Sequence, residues 1–339
     1  MKENKSYVLA GDIGGTKTNL GLYFVGKDGP LSVAEATFSS RTATGLEEMI
    51  EKLLETHPVP VTAACFGIAC PVTGGECQPT NLPWSVSEEK LRKYFGWHRI
   101  ELLNDLTATA LAVPLIDRQA LTVLNPTPGD KTGNMALLAP GTGLGQAILF
   151  CDQGRYYPMA SEGGHVDFAP TDKMEVGLWQ YLHKRFGHVS VERVLSGNGL
   201  TNIFEWLADG RPAAASSRIR QAMIESDPAR VIAEHAINNT DPLCLDALMR
   251  FCRILGAVAG NLALANMATG GIFLGGGIPP KILPVLEKSE FLKSYTDKGR
   301  FSNFVASIPV NVIRNDKAAL IGAAQRAFEL ADLNSTGHT

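Results

Sequence analysis

The chain has 339 residues, with 31 Lys and Arg against 34 Asp and Glu, which gives a formal net charge of −3. This length suits about two domains, and the charge lacks the net basic balance that is typical of nucleic-acid-binding proteins. Hydrophobic residues make up 45% of the chain, too many for a disordered protein. No stretch reaches the roughly 20 apolar residues of a membrane span, and the amino terminus does not resemble a signal peptide. We therefore expect a soluble, cytoplasmic protein with no nucleic-acid or membrane partner.

Buried strands and amphipathic helices alternate in the first third of the chain, which predicts an α/β fold. Tyr7–Ile13 is typical of a buried strand, and residues 105–113 predict a helix that ends before Pro114. The other elements predicted here are strands at 20–25, 33–38, 62–69 and 99–103 and helices at 45–56 and 86–95.

Residues 116–133, which include Pro126 and Pro128, predict a loop and a domain junction. The elements predicted after it are strands at 134–139, 146–151, 155–159, 271–274 and 309–313, mostly helices from 174 to 267, and a final helix at 316–330. We expect two domains. One is a small α/β domain, 1–115 with 314–339, and the other is a larger α/β domain with helical insertions, 116–313.

The chain contains 34 Gly, about a tenth of its residues against a usual share near 7%, and they are clustered. Clustered glycines mark places where the backbone bends sharply or approaches a ligand closely. In the first cluster Asp12 ends a strand, and Gly14, Gly15 and Thr16 follow. Their N–H groups and the hydroxyl suit a phosphate, and Asp12 suits Mg²⁺, directly or through water. An ordinary β-hairpin turn is the alternative.

Two further glycine clusters are candidates for nucleotide contacts. Gly141, Thr142 and Gly143 join a strand to a strand, whereas the dinucleotide-binding Gly-x-Gly-x-x-Gly turn joins a strand to a helix. The similar placing of the two Gly/Thr turns indicates two related α/β lobes, with a ligand in the crevice at the strand ends. At 275–277 three glycines follow a buried strand, and such bare backbone can receive a flat ring such as adenine. A plain strand-to-helix turn is the alternative.

Three polar segments are candidates for binding a small ligand. Asn104 and Asp105 follow a predicted strand and begin a helix, which fits a catalytic carboxylate and also plain helix capping. Glu162 and His165 flank two glycines and can face one ligand, although a surface loop has the same pattern. For Glu192 the local pattern favours an ordinary acid in a first helical turn.

The six cysteines form no Cys-x-x-Cys pair and no zinc set. We therefore expect reduced cysteines that pack as small hydrophobes. No cysteine or second histidine follows His165 at zinc spacing, which argues against a metal site there.

Taken together, these segments resemble the bacterial glucokinase family, in the superfamily of hexokinases, actin and heat-shock chaperone ATPases. The resemblance runs from residue 7 to about 327, and its most specific motifs lie at 103–105, 162–170 and 192–200. The first Gly turn is shared by the whole superfamily. The resemblance implies a two-lobed actin-like ATPase (ribonuclease H-like) fold, with mixed sheets flanked by helices and a cleft between the lobes.

The resemblance also implies an ATP-dependent glucokinase that uses ATP and Mg²⁺ and releases glucose 6-phosphate and ADP, with Asp105 as the general base. The residues implied to bind the sugar are Asn104, Asp105, Glu162, His165, Glu192 and Asn81. Those implied to bind ATP are Gly11, Asp12, Gly14, Gly15, Thr16, Gly141, Thr142, Gly143, Gly275, Gly276 and Gly277, with Asp12 also holding Mg²⁺ through water. A homodimer is the default expectation for such an enzyme.

Two departures from the family pattern qualify this resemblance. Pro140 stands where relatives commonly have Gly or Ala. Lys17 follows the first loop as in the repressor/open-reading-frame/kinase branch, but that branch carries a Cys-rich zinc motif where this chain has 168–170. We therefore place the chain outside that branch. A kinase for another hexose or amino sugar, and a non-catalytic sugar- or nucleotide-sensing regulator on the same fold, are the alternatives.

Overall fold

The structure is a computed structural model, and it describes residues 6–27, 29–79, 81–211 and 216–332. The chain divides into two compact units. Unit 1 comprises the described residues through Asp117 together with those from Asn315 onward, and unit 2 comprises Arg118–Arg314. Within the described ranges, no helix combines the length and apolar character needed to cross a membrane.

Strands and helices alternate along unit 1. In chain order its elements are β1 (Tyr7–Ile13), β2 (Lys17–Val25), β3 (Pro30–Ser39), α1 (Leu46–Thr56), β4 (Val61–Ile68), β5 (Glu76–Cys77), β6 (Val86–Ser87), α2 (Glu88–Phe95), β7 (Ile100–Asn104) and α3 (Asp105–Ala112). Among the described residues, five of these strands form one sheet in the order β3-β2-β1-β4-β7. Because β1, β4 and β7 are parallel, their carboxyl ends meet at one edge of that sheet.

Unit 2 combines a mixed sheet with a long helical stretch. In chain order its elements are β8 (Leu121–Asn125), β9 (Met135–Pro140), β10 (Leu144–Asp152), β11 (Arg155–Ser161), α4 (Lys173–Phe186), α5 (Gly197–Gly210), α6 (Ser217–Glu225), α7 (Pro228–Ile237), α8 (Pro242–Ala265), β12 (Gly271–Leu274), α9 (Leu283–Leu286), α10 (Phe291–Thr296), α11 (Ser302–Ala306) and β13 (Val310–Ile313). In the part of unit 2 that the structure describes, six strands form a sheet in the order β11-β10-β9-β12-β13-β8. The chain then returns to unit 1 with α12 (Ala318–Asp332).

Helices cover both faces of the unit 1 sheet because successive side chains of a strand point to opposite faces. Leu9 and Ile13 of β1 lie in a core that also contains the apolar faces of α1 and α2. Val8 and Ala10 point the other way and pack with Leu320 and neighbouring residues of α12. The core of unit 2 forms around α8, which packs against α5, α7 and α10. These helix-flanked mixed sheets confirm the predicted α/β class.

Residues 121–125 correct the sequence prediction of a loop across 116–133. They form β8, which pairs antiparallel with β13 at the edge of the unit 2 sheet. All five residues of β8 are partly or fully exposed, so the strand lacks the alternation of buried and polar positions that identifies a strand in a sequence.

Cys70 and Cys77 correct a second prediction, that the cysteines are reduced. The structure joins them as a disulfide, with their Cα atoms 6.2 Å apart. The backbone between them turns back on itself, and the Thr73 N–H donates to the Glu76 carbonyl at 3.0 Å. This turn brings together two residues whose spacing of seven matches no short cysteine motif. Cys65, Cys151, Cys244 and Cys252 are free.

Candidate active site

Two acidic segments lie at the same edge of the unit 1 sheet. The ladder pairs Ile13 with Ile68 and Ile68 with Asn104. Asp12 is therefore one residue before the end of β1, Asn104 is the last residue of β7, and only β4 separates the two strands. Asp105 follows directly as the first residue of α3. The parallel strands therefore bring the first Gly turn and the Asn104-Asp105 pair to one edge, where α/β proteins bind their ligands.

The carboxylate of Asp12 is partly buried and weakly partnered. Asn19 Nδ2 donates to Asp12 Oδ2 at 3.4 Å. Burial raises the pKa of Asp12 from its ordinary value of 3.8 to about 6; the Asn19 hydrogen bond lowers it, and the carboxylates of Asp105 and Asp316 raise it further. A cation that binds beside an acid in this setting stabilises the ionised carboxylate.

Asp105 and Asn104 together cap helix α3. The Leu106 N–H donates to Asn104 Oδ1 at 3.0 Å and to Asp105 Oδ1 at 2.8 Å. Asn104 Nδ2 also donates to the Cys70 carbonyl at 3.3 Å. Burial raises the pKa of Asp105, and the Leu106 N–H lowers it. Helix capping is thus present, and it fixes a desolvated carboxylate at the sheet edge.

The first Gly turn is a hairpin between β1 and β2, which pair from Ile13 and Thr18 outward. The Gly14 N–H donates to the Lys17 carbonyl at 3.0 Å and closes the turn. Asn81 lies against it, since a Cβ added to Gly15 would be 3.2 Å from Asn81 Cβ. Thr16 is exposed. The turn is therefore a β-hairpin, as in the alternative interpretation. It also presents hydrogen-bond donors that a ligand can reach.

Gly11 has a packing explanation that the sequence did not show. It lies inside β1, where an added Cβ would be 2.6 Å from Phe66 Cδ1. The absence of a side chain at this position lets the Phe66 ring fill the core.

The second Gly turn is the hairpin between β9 and β10, in which Pro140 pairs with Leu144. The Gly141 N–H donates to the Gly143 carbonyl at 2.8 Å, and the Gly197 N–H donates to the Gly141 carbonyl at 2.9 Å. Pro140 ends its strand, and its carbonyl accepts from the Ile278 N–H at 3.2 Å.

Residues 275–277 lie beside this second turn because β12 runs parallel to β9. The Gly275 N–H donates to the Leu138 carbonyl at 2.9 Å. Gly276 has φ +75°, and an added Cβ would be 2.6 Å from the Pro140 carbonyl oxygen. Glycine is required here by the close approach of the two backbones and by the left-handed conformation.

A cavity of about 680 Å³ opens in unit 2 beside these two turns. Its walls come from the segments 141–142, 197–201, 227–237 and 277–282. They combine apolar side chains with a few polar ones, which is typical of a site for a small organic ligand.

Six polar residues of this cavity were missed by sequence reasoning: Asn198, Thr201, Asp227, Arg230, Glu234 and Lys281. A signal for the first two was present, because Ser196 caps α5 by accepting from the Gly199 N–H at 3.0 Å. A helix N-terminus of this kind attracts anions. Arg230 and Lys281 have no local pattern that distinguishes them from other surface cations.

Glu162 and His165 flank a short 3-10 turn, Gly163–His165. Glu162 Oε2 lies 3.9 Å from His165 Nε2, and the two side chains are 88% and 62% exposed. The two glycines between them pack tightly against neighbouring atoms. An added Cβ on Gly164 would be 2.2 Å from the Leu144 carbonyl oxygen. The structure therefore presents both polar side chains together on a turn held near the second Gly turn.

Glu192 also reaches the second Gly turn. The Leu144 N–H donates to Glu192 Oε2 at 2.9 Å. The simple interpretation of Glu192 as an acid in a helical turn is therefore incomplete. Among the residues that the structure describes, no three His, Cys, Asp or Glu side chains are grouped as a metal site.

Comparison with known proteins identifies relatives over most of the chain. A family model described as glucokinase matches residues 9–329. A glucokinase of Synechocystis sp. is 38% identical over 341 residues, which covers 93% of this chain and 96% of that protein.

Comparison with solved structures also identifies glucokinases. The crystal structure of a glucokinase from an Antarctic psychrotroph has a TM-score of 0.84 and 31% identity, covering 95% of this chain and 99% of that one. A glucokinase of the repressor/open-reading-frame/kinase branch from Streptomyces griseus, in complex with glucose and AMPPNP, has a TM-score of 0.61 and 21% identity, covering 95% and 99%. The second likeness concerns the fold alone.

Proposed function

Because the chain belongs to the glucokinase family, we propose that it transfers the γ-phosphoryl group of ATP to the 6-hydroxyl of D-glucose and releases glucose 6-phosphate and ADP. The chain has the actin-like ATPase fold of the sugar kinases that it resembles. The observation that carries the proposal is the Asp105 carboxylate, fixed by the Leu106 N–H at the same sheet edge as the first Gly turn. A proton acceptor and phosphate-binding donors are both required for this reaction.

We propose Asp105 as the general base. Its carboxylate would accept the proton of the glucose 6-hydroxyl while that oxygen bonds to the γ-phosphorus and the bond to the β-phosphate oxygen breaks. The raised pKa of Asp105 suits this task, since an ordinary aspartate is a weaker proton acceptor.

We propose that five further side chains hold the other sugar hydroxyls: Asn104, Asn81, Glu162, His165 and Glu192. Amide, carboxylate and imidazole groups are suitable partners for hydroxyls. Asn104 and Glu192 are partly buried, and such partners reject sugars that cannot satisfy them, because a buried polar group without a hydrogen bond is costly.

ATP contacts are proposed for both Gly turns and for 275–277. The cavity of about 680 Å³ is large enough for a nucleoside, and Gly141, Thr142 and Gly277 line it. The N–H groups of Gly15 and Thr16, together with the exposed Thr16 hydroxyl, are the donors proposed for phosphate oxygens. Gly14, whose own N–H closes the turn, is proposed to let the phosphate approach the backbone. Gly11 acts behind that turn through its packing against Phe66.

Asp12 is the proposed Mg²⁺-binding residue, with water molecules as the other ligands. Its carboxylate fits a cation because burial raises its pKa to about 6 and its partner at 3.4 Å is a neutral amide. When bound, Mg²⁺ would neutralise negative charge on the phosphates.

A coupled assay of ADP release over a panel of hexoses tests the proposed function. We expect turnover with glucose well above that with mannose, fructose and N-acetylated sugars. Asp105→Asn should lower kcat by about 10²-fold or more, whereas the surface control Asp246→Asn should not. Preference for another hexose would reassign the substrate, and normal turnover of Asp105→Asn would remove Asp105 from the base role.

Two general expectations stay predictions. The cytoplasmic location was expected from the amino terminus and the lack of long apolar stretches, and the homodimer is the default for a soluble enzyme. Fractionation of cell extracts and analytical ultracentrifugation of the purified protein would test them.

A further inference from the structure

The second Gly turn is bracketed by one short segment of unit 2, residues 192–197. At its first end the Leu144 N–H donates to Glu192 Oε2 at 2.9 Å. At its second end the Gly197 N–H donates to the Gly141 carbonyl at 2.9 Å. The segment is itself closed by Ser196, whose Oγ donates to the Glu192 carbonyl at 2.8 Å. The backbone of 141–144 is therefore held from both sides.

The Glu192 carboxylate also lies close to Gly143. A Cβ added to Gly143 would lie 2.6 Å from Glu192 Oε2 and 3.5 Å from its Cδ. Gly143 has no positive φ that would require glycine there. The lack of a side chain at Gly143 thus matters because it leaves room for the Glu192 carboxylate.

We propose that Glu192 is a positioning residue for the nucleotide, and that it couples sugar binding to the geometry of the second Gly turn. This inference rests on the proposed function, which assigns a sugar hydroxyl to Glu192 and an ATP contact to 141–143. A carboxylate has two oxygens with several acceptor positions. Glu192 can therefore hold Leu144 with Oε2 and bind the sugar with Oε1.

The coupling follows because the Glu192 side chain contacts both the Leu144 N–H and the sugar. A sugar hydroxyl on the carboxylate restricts its movement, and the Leu144 N–H bound to the same carboxylate is then restricted too. The turn is ordered in advance for the nucleotide, which lowers the entropy that nucleotide binding must lose. Linkage requires the reverse effect to be equal, so a nucleotide on the turn tightens sugar binding by the same factor.

The first test measures MgADP binding by titration calorimetry in the absence of sugar. Glu192→Ala leaves the Leu144 N–H without its acceptor, and we expect the Kd for ADP to rise about fivefold or more. Glu192→Gln retains an amide oxygen that can accept from Leu144 and should recover most of the affinity. Asp246→Ala, which removes a surface acid of the same unit that pairs with Arg211, should leave the Kd for ADP unchanged.

The second test approaches the same contact from the turn. Gly143→Ala should displace the Glu192 carboxylate, and we expect the KM for glucose to rise although no proposed sugar ligand has been changed. The double variant Gly143→Ala/Glu192→Ala should show less than the sum of the two single effects, because both remove one contact. Thermal unfolding of each variant establishes that it is folded, and Gly143→Ala serves if Glu192→Ala does not fold.

The outcomes separate the two proposals. Failure of the unaltered protein to bind ADP and phosphorylate glucose would overturn the proposed function. A Glu192→Ala variant with a raised KM for glucose and an unchanged Kd for ADP would overturn the positioning role of Glu192 alone. A Kd for ADP that glucose lowers by the same factor in the unaltered protein and in Glu192→Ala would overturn the coupling. Additive effects in the double variant would also overturn it.

Discussion

The carboxylate of Asp105 is held in a setting that favours its protonated form. Burial raises its pKa above the ordinary value of 3.8, and the Leu106 N–H offsets only part of that rise. The folded protein therefore binds this proton more tightly than the unfolded chain does. Stability is lost as pH rises from the ordinary value to the raised one, and the loss is complete above it.

A pH profile should report this raised pKa. Only the ionised form of Asp105 can accept the sugar proton, so kcat/KM for glucose should fall about tenfold per pH unit below the raised pKa. The decline should begin at a higher pH than an ordinary aspartate would give. Steady-state kinetics with saturating MgATP would measure it, and a flat profile down to pH 4 in folded protein would contradict it.

Asp105→Asn should lower the activity and raise the thermal stability of the protein. The amide cannot carry the unfavourable buried charge, yet its oxygen can still accept from Leu106. We expect a higher temperature of unfolding than the unaltered protein at pH 8, and a smaller difference at pH 4, because the buried aspartate of the folded protein takes up a proton more readily there and then carries less charge. Calorimetry at the two pH values checks this. An equal difference at both would show that charge is not the cause.

Local sequence could identify Asp105 as a residue of interest but could not choose between its two interpretations. An Asn-Asp pair at a helix start is expected for capping alone. The structure adds the parallel ladder that places the pair beside Asp12. The contact between Glu192 and Leu144 was not predictable at all, because 48 residues separate them and only the fold brings them together.

A buried group of charges joins α4 to α8 in unit 2. Glu175 is 1% exposed, and its Oε1 lies 3.5 Å from Arg250 Nη1 and 3.4 Å from Arg253 Nε. Its Oε2 accepts from the Thr171 N–H and hydroxyl at 2.7 and 2.8 Å. This group of charges follows the 162–170 segment directly in sequence, and it holds the first turn of α4 in place.

Glu175→Ala should destabilise unit 2 by about 2 kcal/mol, because it removes the buried carboxylate shared by two arginines, although Asp172 and Glu290 still pair with them. The control is Lys293→Ala, whose side chain is 73% exposed and pairs with Glu290. Such an exposed pair contributes less than about 1 kcal/mol. Denaturant unfolding followed by fluorescence would compare them, and similar midpoints for both would contradict the prediction.

Helix α12 packs on α3 through a glycine. A Cβ added to Gly322 would lie 1.7 Å from the Ala108 carbonyl oxygen, so the two helices must separate to admit it. Gly322→Ala should therefore cost about 2 to 3 kcal/mol or more. Gly210→Ala is the matched control, because nothing lies within 4 Å of its added Cβ. That change at the end of α5 should be neutral or stabilising by up to about 1 kcal/mol.

Burial decided which elements could be predicted. Tyr7–Ile13 and Gly271–Leu274 have the predicted bounds, since each is a short apolar run. Strand β8 was missed because its side chains are half exposed and Pro126 and Pro128 follow it. Its pairing is supplied by β13, which is about 190 residues away, and no local pattern can report such a partner.

At the scale of the whole molecule, unit 1 is built from two separate parts of the chain. The residues through Asp117 supply its sheet, and α12 covers the face that carries Val8 and Ala10. Unit 2 is continuous in sequence, from Arg118 to Arg314.

A chain that ends at residue 314 should keep unit 2 folded and leave unit 1 open. Without α12, the side chains of Val8, Ala10, Ala63 and Cys65 lose their cover. Hydrogen exchange should show protection of α8 at the level of the full chain and fast exchange in β1 and β4. Loss of protection in both units would show that unit 2 depends on unit 1 to fold.

The return of α12 to unit 1 has a consequence for synthesis on the ribosome. Domains generally fold as their residues emerge, with the amino-terminal one first. Here the amino-terminal strands leave the ribosome early, but the helix that covers one face of their sheet follows some 200 residues later. Unit 2 can fold completely before α12, the last element of unit 1, has been synthesised. The half-covered sheet is then exposed throughout that interval, and it is the part of the nascent chain that we expect a chaperone to bind.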